Sequence, residues 1–249
     1  AKTLMRVPLG VVGQAIGVAS FPVLAQLYSE KKFHEMNRAL NAILKGTILL
    51  LVPIGALSMA ESRPLVHLIF SHTRLTGPDL EATAATFVFF SLGMFAWGVQ
   101  NILARGFYAT RDTLTPAIVG TGLMLLSLPL YWGLVRASQH LGLALASSIG
   151  IVAYMIALFA LLVRRTENNE AGSLVVFFLK ITLASAAGGA ASFALVNWLE
   201  PHLGWATAPR AFLTLVISST AGLLLTAAVG KFLRVREIDV YAKQLFGPS

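Results

Sequence analysis

Leu103-Ala-Arg-Gly-Phe-Tyr-Ala-Thr-Arg-Asp-Thr-Leu-Thr-Pro116 joins two long apolar segments through a short polar turn. Phe107 and Tyr108 close the incoming helix with rings suited to the depth of a membrane interface. Arg105 and Arg111 bring positive charge to a helix end where the backbone dipole is negative. Asp112 stands where a cap belongs, its carboxylate able to accept from the free amides of the next helix's first turn. Pro116 falls in that first turn, where a missing amide costs little. The stretch reads as helix, tight turn, helix, and its flanks decide the fold class.

Those flanks are apolar almost throughout. Of 249 residues, 56% are hydrophobic and only 12% charged, with a mean hydropathy of +0.75. A soluble domain carries about 25% charged residues. The composition therefore predicts an all-α polytopic integral membrane protein. No run alternates with a period of two, which argues against a barrel. The net charge of +8 and the pI near 10.1 do not require nucleic acid as a partner. Basic loops beside apolar spans meet anionic membrane lipids instead. With no cysteine, disulfides and thiolate metal sites are excluded.

Seven segments approach the ~20 residues needed to cross a bilayer: 4–28, 38–59, 79–108, 113–135, 141–163, 174–199 and 209–233. Between the second and third, Leu65-Val-His-Leu-Ile-Phe70 is too short to span and reads as an interfacial or re-entrant piece. The polar run from Arg164 to Ser173 is the one linker. It divides residues 1–163, with five spans, from 164–249, with two further spans and a basic tail. Basic residues are uneven between the two sets of loops. Lys31, Lys32, Arg38, Arg105, Arg111, Arg164, Arg165, Lys231, Arg234, Arg236 and Lys243 fall on one side, against Arg63, Arg74, Arg136 and Arg210 on the other. The positive-inside rule puts the first set and the C-terminus in the cytoplasm. Tyr131, Trp132, Trp198 and Trp205 then form an outer aromatic belt.

The order of Arg105, Phe107, Tyr108, Ala109, Asp112, Thr113, Thr115 and Pro116 resembles a recurring signature of the MurJ (MviN) family, the lipid II flippases of bacterial cell-wall synthesis. A second stretch, Pro8-Leu-Gly-Val-Val-Gly-Gln-Ala15 with Phe21, Pro22 and Leu24, is also similar to that family. Family members have fourteen spans with both ends cytoplasmic. The resemblance implies the C-terminal part of a two-lobe exporter fold, with an N-terminal lobe missing from this chain. It further implies a multi-pass protein of the bacterial cytoplasmic membrane. Such a protein moves polyprenyl-pyrophosphate-linked lipid II from the inner to the outer leaflet by alternating access. The activity implied is transport, not catalysis, and no cofactor is implied. A related exporter of drugs or polyprenyl-linked polysaccharide intermediates is the alternative.

A pyrophosphate crossing hydrocarbon needs cations in a wet cavity. Lys45 is the first candidate: it lies seven residues beyond Arg38, about 10 Å deeper on one helix face. Many family members carry an arginine there. Either Lys45 meets substrate in a cavity, or it snorkels toward the cytoplasm. Lys2 and Arg6, four apart and so on one face, have the same two readings toward the outer headgroups. The family usually places an arginine at Thr3. Arg105 completes the cationic set, unless it serves only the helix dipole and topology. Pro8, Gly10, Gly13 and Gly17 give the first span either a hinge or a smooth packing face.

Ala184, Gly188 and Ser192 form a small-residue stripe suited to close helix packing, or else to a groove for a lipid tail. Glu61, Asp79 and Glu81 fall at helix ends with no acid/base pair implied. His34, His67, His72, His140 and His202 are scattered without metal-ligand spacing, so no metal site is expected.

Overall fold

The computed structural model describes residues 2–10, 15–70, 73, 75–205, 207–235 and 237–238, of which Val7, Pro8 and Ala15 as backbone alone. Gly13, His72, Arg74, Arg236 and Lys243 lie outside the described residues. Helices follow in the order α1 (Lys2–Pro8), α2 (Ala15–Ser29), α3 (Phe33–Ala60), α4 (Ser62–Phe70), α5 (Gly77–Leu92), α6 (Met94–Ala109), α7 (Leu114–Thr166), α8 (Ala171–Leu199) and α9 (Ala208–Phe232). There is no strand among the described residues. Among the described residues five segments are long and apolar enough to cross a membrane: Phe33–Ala60, Gly77–Ala109, Leu114–Thr166, Ala171–Leu199 and Ala208–Phe232. The chain is a multi-pass, all-α membrane protein.

The span of 53 residues in α7 would be about 80 Å long if straight, far more than a ~30 Å hydrocarbon core. It is not straight. Ser138 and Gln139 leave helical geometry, Gln139 at φ 47°. The legs on either side fold back on each other: Tyr131 Oη donates to Ser147 Oγ at 3.1 Å, and Tyr154 Oη donates to the Pro116 carbonyl at 3.0 Å. Gly142 lies so close to the Leu134 carbonyl that a β-carbon there would clash. The expected breaks at 135 and 141 bracket this reversal.

The chain forms two compact units, one of residues 1–2, 52–92 and 179–249, the other of residues 3–51 and 93–178. In the first, α8 and α9 meet through small residues. Thr214, Ser218, Gly222, Thr226 and Gly230 repeat every four residues along α9, and all are buried. A β-carbon on Gly222 would stand 3.0 Å from the Gly188 carbonyl and 3.2 Å from Ser192 Cβ. The stripe on α8 thus packs as its spacing suggested, against a matching row on α9. The short apolar piece is helical α4, with Val66 fully buried. His67 on it faces the Trp205 ring at 6.5 Å. Trp205 is only 9% exposed, packed with Val196, Ala211 and Leu68. It therefore belongs to the packed interior and not to a free aromatic belt, whereas Trp132 and Trp198 are open.

In the second unit α6 is the most enclosed helix, with Ala96, Val99, Ile102, Leu103 and Phe107 buried. Gly98 lies under Thr47 and Leu51 of α3, and Gly106 under Leu40 and Leu162. The polar run 164–173 is held down. Asn168 and Asn41 exchange amide hydrogen bonds of 2.9 and 3.2 Å, and Asn37 donates to the Thr166 carbonyl at 2.7 Å.

Candidate functional site

The turn after α6 is built as its residues suggest, with additions the sequence did not announce. α6 ends where Arg111 takes the left-handed conformation, φ 58°. The Asp112 amide reaches back to the Phe107 carbonyl at 3.0 Å, and that of Arg111 to Tyr108 at 3.0 Å, the pattern of a Schellman close. Asp112 then caps α7. Its Oδ1 accepts from the Thr115 amide at 2.9 Å and its Oδ2 from the Thr115 hydroxyl at 2.7 Å. The two Thr115 hydrogen bonds hold the Asp112 carboxyl below the usual aspartate range, with the Arg165 charge adding to them.

Arg165 supplies that charge from the far end of α7, its Nη1 2.6 Å from Asp112 Oδ2. Pro116 is buried, and its carbonyl takes the Tyr154 hydroxyl. Neither Arg165 nor Tyr154 was a sequence candidate; each lies dozens of residues away, and only the α7 reversal brings it in. Phe107 is 1% exposed and belongs to the core, not to an interface ring, while Tyr108 is open. The turn is a hydrogen-bonded joint between α6 and the two ends of α7.

The candidate cations have different surroundings. Lys45 is half-buried on α3, with Nζ 5.7 Å from the centre of the Phe177 ring. That distance is within the range of a cation–π contact. Arg105 is half-buried and lies over Gly17 of α2: a β-carbon on Gly17 would fall 3.0 Å from Arg105 Nε. A presumed hinge or packing glycine and a presumed cavity cation are therefore brought together. Lys2 and Arg6 are exposed on α1. α1 ends at Pro8, and Leu9 and Gly10 follow in a wider π-type turn. A β-carbon on Gly10 would touch nothing within 4 Å among the described residues.

One turn beyond Lys45, Ile48 lines an apolar pocket of about 290 Å³. Phe95, Val99, Met155, Phe159, Leu174 and Phe178 are among its other walls. Hydrocarbon fits such a lining and a phosphate does not. Among the described residues no group of acidic, histidine or cysteine side chains is placed to hold a metal.

The family model described as "Lipid II flippase MurJ" matches residues 1–229. A probable lipid II flippase MurJ of Rhizobium meliloti is 26% identical over 199 residues, 80% of this chain and 37% of that protein. One of Thermotoga maritima is 25% identical over 241 residues, 96% of this chain and 46% of that protein. The lipid II flippase MurJ of Burkholderia cenocepacia is 25% identical over 82% of this chain and 39% of its own length. The chain thus spans less than half the length of these curated relatives. A solved structure of a lipid II flippase MurJ in an inward closed conformation superposes over 93% of this chain and 45% of its own, with a TM-score of 0.69 and 21% identity. It bears on the fold alone.

Proposed function

Because this chain belongs to the lipid II flippase MurJ family, we propose that the protein carrying it moves lipid II from the inner to the outer leaflet by alternating access. The observation that carries this reading is the family match over residues 1–229. It is supported by a signature turn whose residues are structurally engaged and by membrane-length helices. Family membership makes the protein a transporter, and we extend this to the absence of any bond-making step on the lipid. No observation favours an exporter of drugs or polysaccharide intermediates.

The protein is a multi-pass protein of the inner membrane, with the C-terminus in the cytoplasm on the charge asymmetry of its loops. Residues 1–163 act as five spans of the C-terminal lobe, and 164–249 as an appended pair with its basic tail. An N-terminal lobe of the same protein completes the cavity. Within it Lys45, helped by Arg105, Arg6 and Lys2, neutralises the substrate pyrophosphate. The half-buried placement of Lys45 and Arg105 supports those two over Lys2 and Arg6, which are exposed. The π-type turn after Pro8 supports bending of the first span near Pro8 and Gly10.

The test is complementation of a flippase-depleted strain by the full-length protein, with lipid II in the outer leaflet measured by enzymatic labelling in intact cells. Restored growth with restored labelling is the expected result. Growth without labelled outer-leaflet lipid II would reject the substrate.

A further inference from the structure

Glu61 stands at the junction of α3 and α4 and is only 3% exposed. Three hydroxyls converge on it. Ser192 Oγ of α8 lies 2.7 Å from Oε1, Ser218 Oγ of α9 2.8 Å from Oε1, and Ser219 Oγ 2.7 Å from Oε2. Ser192 and Ser218 are fully buried. Ser192 is about 10 Å from the end of α8 and Ser218 about 15 Å from the start of α9 at the helical rise. The carboxylate therefore sits within the length of the membrane-crossing helices and not at their rim. Ionisable groups at such depth are costly and mark functional sites.

Among the described residues no basic side chain is positioned to neutralise it. Arg63 turns to Glu81, with Nε 3.1 Å from Oε2. His67 faces Trp205, and Asp79 accepts from Thr76. On α9, Arg210 is about 12 Å before Ser218 along the axis and Lys231 about 18 Å beyond Ser219; on α8, Lys180 is about 18 Å from Ser192. The three hydroxyls do not settle the charge either. Ser218 has one hydrogen, and Oγ is 2.8 Å from the Thr214 carbonyl as well as 2.8 Å from Glu61. That one hydrogen is shared between Glu61 Oε1 and the Thr214 carbonyl, so the hydroxyl offsets the negative charge only in part.

We propose that Glu61, Ser192, Ser218 and Ser219 form a binding site for one small monovalent cation, a proton or Na⁺. Either neutralises the buried carboxylate, which the three hydroxyls solvate without cancelling its charge. The single carboxylate with neutral oxygens matches one positive charge, whereas divalent sites gather more carboxylates. The site joins the α3–α4 junction, α8 and α9, so its occupancy sets how firmly these elements hold together.

The test uses the purified full-length protein in detergent, comparing wild type with Glu61→Gln. Thermal melting is followed against Na⁺ at alkaline pH, with choline as the replacement ion, and against pH without Na⁺. Infrared spectra are read for the carbonyl stretch of a protonated carboxylic acid. A wild-type Tm that rises with Na⁺ while Glu61→Gln stays level identifies Na⁺. A Tm that rises only on acidification, with an acid band absent from Glu61→Gln, identifies the proton. Glu61→Gln following wild type in both titrations would overturn the site and leave a structural staple. Should Glu61→Gln not fold, Ser219→Ala at the half-exposed edge decides: the midpoint of the wild-type response shifts if the site is real, and an unshifted midpoint overturns it. The proposal does not depend on which lipid the protein carries.

Discussion

Asp112 and Arg165, 53 positions apart, meet at 2.6 Å where the two ends of α7 come together. The contact turns a helix cap into a clasp across the α7 hairpin. Asp112→Ala removes the cap, worth about 0.5–2 kcal/mol, and an exposed ion pair worth about 0–1 kcal/mol. Arg165→Gln removes only the second. In thermal unfolding of the full-length protein, Asp112→Ala is expected to lose clearly more stability than Arg165→Gln. Equal losses would mean that the ion pair, not the cap, holds the turn.

The same carboxyl sets a pH dependence. Its folded pKa is lowered, chiefly by the Thr115 hydrogen bonds. Its contribution is therefore fully present above the ordinary aspartate value of about 3.9. It is lost only as pH falls through the lower folded value. The stability difference between wild type and Asp112→Asn should stay constant from pH 8 to pH 5. A difference that fades across that interval would show that the carboxyl is not held ionised by the cap.

Close approach of α8 and α9 has its own test. At Gly222 a β-carbon meets the Gly188 backbone, Ser192 and Leu57. Gly222→Ala is expected to cost about 1–3 kcal/mol, as overpacking does. Gly150 has no described atom within 4 Å of an added β-carbon, and Gly150→Ala in the same helical setting should be neutral or gain up to about 1 kcal/mol. Melting temperatures of the two variants that fall together would contradict the tight α8–α9 contact.

How much of this was readable in the chain depends on distance along it. The cap at Asp112 and the helix start around Pro116 were legible because every partner lies within four residues. The α8 stripe was legible for the same reason, and Thr214, Ser218, Gly222, Thr226 and Gly230 on α9 carry the same four-residue spacing. Arg165 was not legible as a partner, since charge in a loop beside a span has a topological cause of its own. Phe107 and Trp205 were misplaced because an aromatic near a helix end fits an interface and a core equally well. Glu61 was the larger miss. A carboxylate at a helix terminus is ordinarily solvated, and only the three-dimensional approach of α8 and α9 buries it.

Four helices close on non-glycine residues in the left-handed region: Lys31, Arg111, Glu167 and Arg234, with φ between 50° and 58°. Three of them are basic and stand where glycine is the usual residue. Arg111→Gly should be more stable than Arg111→Ala by about 1 kcal/mol, both having lost the charge and only alanine keeping the strain. Identical unfolding of the two variants would remove strain from the account of this turn.

Lys45 decides between a cavity cation and a snorkelling one. Its ammonium stands over Phe177, and Ile48 one turn on opens into the apolar pocket. A cation in that position contacts an aromatic face and lies beside a lining that takes hydrocarbon, the two features an amphiphilic anion needs. If Lys45 binds the pyrophosphate, Lys45→Arg keeps the charge and retains transport, whereas Lys45→Met keeps the apolar stem and loses it. Loss of a charge-assisted contact of about 1.5–3 kcal/mol corresponds to roughly a tenfold to hundredfold fall in apparent affinity. Phe177→Leu removes only the aromatic face, worth about 0.5–1 kcal/mol at an open site to about 2 when desolvated, and should cost less. The measurement is complementation and outer-leaflet lipid II labelling by the full-length variants, with membrane abundance checked by blot. Full transport by Lys45→Met at normal abundance would assign Lys45 to membrane placement alone.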